Sequence, residues 1–321
     1  MQNRTLTNPQ DMTFQQIITW LLAGDLSIQY QVYRDLLDAN KPQLRKKIAF
    51  EGWGQKFLSF RQKNGHWGRG FYQPKWTSTH YTLLDLKNLS IDPGNSEISA
   101  TLKLIFTHEK GPDGGIYPIG TTKQSDVCIN GMVLNYASYF HVKEEYLKSI
   151  IDFLLSQKMD DGGFNCYSNR KGAIHSSLHT TLSVLEGIFE YQRNGYTYRL
   201  KELRQAKQES EEFILIHKLF RSDKTGEIIN DNFLKLCYPC RWYYDILKAL
   251  DYFQFSGLKH DSRMADALGV ILEKRTSEGQ WKLASKHPGQ TYFEMEQAGK
   301  PSRWNTLRAL RVLRHFVPDL I

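Results

Sequence analysis

Three things are scarce in this chain of 321 residues, and each scarcity narrows what it can be. Its four cysteines, Cys128, Cys166, Cys237 and Cys240, are too few and too scattered to build a disulfide framework, so reduced thiols are expected. No apolar run approaches the roughly 18 residues that a membrane-spanning helix needs. Residues 1–11 are polar throughout, where a secretory leader would place a charged stretch followed by an apolar one. The chain therefore reads as a soluble cytoplasmic protein with no transmembrane segment. Strand-like alternation is nearly absent as well, which points to an all-α protein.

Apolar residues make up 40% of the chain and aromatics 13%, ample for a large core. The formal net charge of +8 suits anionic partners or a basic, solvated exterior, and says nothing about fold. Arg308, Arg311 and Arg314, three apart on a helical pattern, read as a solvated face, and no nucleic-acid partner is expected.

The strongest signal is internal repetition. A Gly turn followed two residues later by a large apolar residue recurs as Gly65-His-Trp67, Gly114-Gly-Ile116, Gly162-Gly-Phe164, Gly226-Glu-Ile228 and Gly279-Gln-Trp281. Glycine suits such a turn because it takes positive φ without a Cβ clash, and the aromatic after it can fold back over the helix end. An apolar helical run precedes each turn, and a loop and a second, more apolar helix follow it. The second helices open near His80, Cys128, His179, Arg241 and Arg303, at intervals of 48, 51, 62 and 62 residues. Residues 20–37 read as a sixth pair, with Ser27 as N-cap. Alternating amphipathic and buried helices predict two concentric rings.

These turns and paired helices resemble the α/α toroid superfamily of terpenoid cyclases and protein prenyltransferase β subunits, over residues 20–313. The resemblance implies one domain, 1–321, folded as an (α/α)6 toroid of about six helix pairs. The first pair would cover about 12–38 and the last inner helix about 302–315.

Neither the Asp-x-Asp-Asp string of squalene-hopene cyclases nor the Asp-Cys-Thr-Ala-Glu string of oxidosqualene cyclases occurs. Asp126-Val-Cys128 and the helix opening at His179 resemble the zinc-binding segments of the prenyltransferase branch. By that resemblance Asp126, Cys128 and His179 would hold zinc, leaving a fourth position for substrate. Read from the residues alone, Asp126 is equally an N-cap, Cys128 a small buried hydrophobe and His179 a core residue.

The Pro-x-Arg-Trp strings at 239–242 and 301–304 are read as starts of the fifth and sixth inner helices. They would bring Arg241, Trp242, Arg303 and Trp304 to a substrate cavity, either to meet a diphosphate or to bridge adjacent repeats. Trp76 and Tyr81 are assigned to the same substrate wall. His80, one repeat earlier, is a candidate fourth ligand that closes the metal site or a base in the cavity. The long loop from Lys282 to Lys300 is a candidate lid, with Glu294 or Glu296 reaching inward as acid or base.

The resulting expectation is a prenyltransferase- or terpene cyclase-like enzyme acting on an apolar or prenyl-like small molecule. The alternatives are a non-catalytic toroid that binds a lipid or peptide, and a carbohydrate-active barrel using Asp126 with Glu294.

Overall fold

The computed structural model describes residues 13–118, 124–167 and 171–320; the polar opening segment 1–11 lies outside them. The described residues are mostly helical, with one short strand pair, as an all-α reading requires. The helices are α1 (Phe14–Leu22), α2 (Leu26–Asp35), α3 (Pro42–Lys47), α4 (Gly52–Ser59), α5 (Thr79–Asn88), α6 (Ser96–His108) and α7 (Val127–Tyr139). They continue as α8 (Glu144–Ser156), α9 (Leu178–Arg193), α10 (Leu200–Ile216), α11 (Ile246–Ser256), α12 (Ala265–Glu273) and α13 (Arg303–Phe316). The first pair and the last helix fall within three residues of the positions expected from sequence.

Pairs alternate in burial. In α5, α7, α9, α11 and α13 most residues are buried on every face, whereas α6, α8, α10 and α12 bury one side only. In the buried series, neighbours pack in chain order: α5 against α7, α7 against α9, α9 against α11 and α11 against α13. The last member, α13, then packs against α2, where Arg311 reaches Asp35 at 2.9 Å. The closest approach is between α7 and α9. A Cβ on Gly187 would lie 2.5 Å from the Gly131 carbonyl, so the two backbones approach too closely for any larger residue at that position.

The five turn glycines all have positive φ, between 73° and 91°. In the first and last turns the tryptophan that follows caps the preceding helix. The Trp67 indole donates to the Phe57 carbonyl at 2.6 Å, and Trp281 repeats the bond to Ile271 at 2.7 Å. The first turn of the next buried helix holds the same residue from the other side: Thr79, Thr181 and Thr306 accept the backbone N–H of Trp67, Phe164 and Trp281 at 2.9–3.0 Å, and Asn130 accepts that of Ile116 at 2.7 Å. Four of the five Gly turns are thus tied to the first turn of the buried helix that follows; the Gly226 turn is not, its Ile228 being exposed.

Candidate metal centre and surrounding pockets

His80, Cys128 and His179 are each the second residue of a buried helix, α5, α7 and α9. Asp126 is the N-cap of α7, its Oδ1 accepting the Cys128 N–H at 3.1 Å and the Ile129 N–H at 3.4 Å. The same oxygen accepts from two thiols, Cys128 Sγ at 3.0 Å and Cys166 Sγ at 2.9 Å. Ligand atoms of Asp126, Cys128 and Cys166 all lie within 4.8 Å of one another, the carboxylate buried and the thiols half-buried. This group could hold a metal ion. Its donors fit zinc, because two thiols and one carboxylate are ordinary zinc ligands and leave a fourth position open.

Cys166 was not foreseen as a ligand. It lies two residues beyond Phe164, in the loop after the third Gly turn, whereas the sequence reading took its ligands from helix starts. The fold brings it in by two bonds: Phe164 N–H to Thr181 Oγ1, and Cys166 N–H to Thr180 Oγ1 at 3.3 Å. The Cys128 N–H then donates to Cys166 Sγ at 3.1 Å. Hydrogen bonding with Cys166, then burial, then the Asp126 charge hold the Cys128 thiol well above its ordinary value, so without a metal it keeps its proton.

His179, expected as the third ligand, is not in this group. Its Nδ1 accepts the Tyr244 N–H at 2.8 Å, and its ring lies against Phe233 and Trp242. That bond comes from the segment before α11, which folds over the start of α9 and takes the imidazole for itself. Burial lowers the His179 pKa to about 4.

The remaining expectations divide. His80 is fully buried, its Nδ1 3.3 Å from the Tyr136 hydroxyl and its Nε2 without a partner; burial lowers its pKa to about 3. It packs among Phe71, Tyr72 and Tyr81, and the Tyr72 and Tyr81 hydroxyls lie 3.2 Å apart. Burial raises the Tyr72 pKa, and the Asp126 charge pushes it further.

Arg241 is not at a helix start. The fifth buried helix begins at Ile246 with Asp245 as cap, and Arg241 sits in the preceding turn with φ +52°. It is 3.3 Å from the buried carboxylate of Asp85 and 4.7 Å above the Trp76 ring. Arg303 does open α13, but its Nε donates to the Trp20 carbonyl at 3.0 Å, so it bridges the last and first pairs. Trp304 is buried and stacks on Tyr238 at 4.5 Å, while Trp242 is half-buried and stacks on Tyr243 at 3.9 Å.

The loop after the last Gly turn is closed at its base by a strand pair, β1 (Trp281–Lys282) with β2 (Pro301–Ser302). It lies across the second repeat: Tyr292 donates to the Thr77 carbonyl at 2.8 Å, and Trp76 donates to that of Pro288 at 2.7 Å. Glu294 does not reach inward. It is exposed and paired with Lys286, which removes the proposed partnership with Asp126. Glu296 is the inward carboxylate, but it accepts the backbone N–H groups of Arg303 and Trp304 at 2.7 and 3.2 Å and so serves as a cap for α13.

A second correction concerns the arginine face. Arg308 and Arg311 are buried, not solvated, and both bind Asp251; Arg314 is exposed and paired with Asp38. Cys237 and Cys240 are free thiols, Cys240 Sγ donating to the Cys237 carbonyl at 2.9 Å.

Among the described residues no helix is long and apolar enough to cross a membrane. No protein-family model matches the chain, and no curated protein matches it.

Proposed function

We propose that the chain is a closed (α/α)6 toroid that works as a prenyltransferase- or terpene cyclase-like enzyme on an apolar or prenyl-like substrate, with zinc held by Asp126, Cys128 and Cys166. The toroid reading is supported by the six alternating pairs, the chain-order packing of the buried helices and the contact of α13 with α2. One observation carries the chemistry: two thiols and a carboxylate converge at the start of α7.

Zinc bound there would act as a Lewis acid and hold a thiolate at neutral pH. The chain's own residues supply the rest. Asp126 orients both thiols through one oxygen. Tyr72 and Tyr81 stay protonated and offer an aromatic surface, and His80 stays neutral, its Nε2 open to a hydrogen bond from a buried donor.

The experiment is metal analysis of the full chain purified without chelator. Near-stoichiometric zinc is expected in the native protein and its loss in Cys128→Ala and Cys166→Ala. Zinc absent from the native protein, or retained by either variant, would sink the reading. A non-catalytic binding toroid is the second reading, favoured by the loop lying across Trp76 and Thr77; it predicts a metal-free, fully folded protein.

A further inference from the structure

A cavity of about 230 Å³ lies at the end of the buried helices away from the cysteine group. Arg34, Lys87, Tyr139 and Arg193 enter it from the last turns of α2, α5, α7 and α9, while Arg308 and Arg311 enter from the middle of α13. Seven Lys and Arg side chains line it against three carboxylates, Glu186, Glu190 and Asp251. Asp35 and Asp245, beside the lining, add two more through Arg311 at 2.9 Å and Arg308 at 4.0 Å.

The carboxylates are mostly shared. Asp35 serves Arg34 at 2.5 Å as well as Arg311. Asp251 serves Arg311 at 2.5 Å and Arg308 at 3.3 Å, and Glu190 serves Lys87 at 3.5 Å and Arg193 at 3.8 Å. Arg45, from α3, donates to two neutral oxygens, Tyr139 Oη at 2.8 Å and the Ser90 carbonyl at 3.3 Å. Helix C-terminal carbonyls account for some of this positive charge, since Arg34, Lys87 and Arg193 sit in last turns. They do not account for Arg308 and Arg311, 4% and 7% exposed and well inside α13. Cations removed from water and left to share their counter-ions create a demand for further negative charge.

We propose that this cavity binds a small phosphate-bearing anion, held by guanidinium and ammonium groups converging from α2, α3, α5 and α13. Planar guanidinium forks match phosphate oxygens in pairs, which favours phosphate over a single carboxylate. Tyr30, Tyr252 and Phe255 in the same lining offer apolar cover to the organic part of the ligand. The site is separate from the cysteine group and does not depend on a metal there.

Calorimetric titration of the full chain with inorganic pyrophosphate at fixed ionic strength tests it. Saturable binding is expected, tighter than that of citrate. Lys87→Gln and Arg45→Gln, both on part-exposed wall positions, should weaken it about tenfold or more, because each removes a charge-assisted bond. Lys282→Gln, on the exposed surface, and Cys128→Ala should bind as the native chain does, with thermal melts confirming that all four variants fold. Absence of saturable heat, or equal binding by the Lys87, Arg45 and Lys282 variants, would overturn the proposal and leave the cations to helix ends and shared carboxylates. Citrate binding as tightly as pyrophosphate would overturn the assignment to phosphate.

Discussion

The Cys166 thiol donates to the Asp126 carboxylate at 2.9 Å, joining a loop residue to a helix cap 40 positions earlier in the chain. Together with Cys128, it makes a two-sulfur, one-oxygen group where the resemblance to prenyltransferases implied one sulfur, one oxygen and an imidazole.

That difference separates two ligand sets experimentally. His179→Ala should retain zinc, because its Nδ1 is engaged by Tyr244 N–H and its ring is outside the group. Zinc affinity should fall as pH falls, since the Cys128 proton must leave for the metal to bind. Competition with a chelator at pH 8.0, 7.0 and 6.0 reads both. Loss of zinc in His179→Ala would restore the imidazole as a ligand.

Stability should decline on mild acidification. Burial holds His179 and His287 at about 4 in the folded chain, below the ordinary 6.5. Between those values the unfolded chain binds more protons, so this stability is fully present above about 6.5 and is lost as pH falls toward 4. From pH 6.5 to 5.5 the pair should remove about 1 to 2 kcal/mol. Urea melts across that range measure it, and a slope unchanged in His179→Gln would refute the assignment.

Arg241→Gln should cost about 3 kcal/mol or more, because it strands the buried Asp85 carboxylate. Burial raises the Asp85 pKa, with Arg241 opposing the shift. Adding Asp85→Asn should recover part of the loss. A stable Arg241→Gln protein with weakened pyrophosphate binding would instead return this arginine to the ligand role expected from sequence.

Removing residues 1–40 deletes α1 and α2 and leaves the α13 face, with Arg311 facing no Asp35, open to water. The truncated chain should be insoluble. A soluble truncation that melts cooperatively would show that α13 needs no partner there, and would favour an open array of repeats.

The amino-acid sequence by itself determined where helices pair and turn. Gly65, Gly114, Gly162, Gly226 and Gly279 mark positions where only positive φ fits, and Trp67 or Trp281 behind them marks a helix end to be covered. Such choices are local and depend on residues within about 25 positions. It also determined that Asp126 and Cys128 share one helix start. Tertiary structure alone decided which third ligand joins them, because the intervals to Cys166 and His179 both allow contact and only the Thr180 and Tyr244 hydrogen bonds separate them. It likewise decided that Arg308 and Arg311 turn inward, since burying two guanidinium groups depends on Asp35 and Asp251 arriving from α2 and α11. Charge compensation between elements 57 to 276 residues apart leaves no mark on the periodicity of either one.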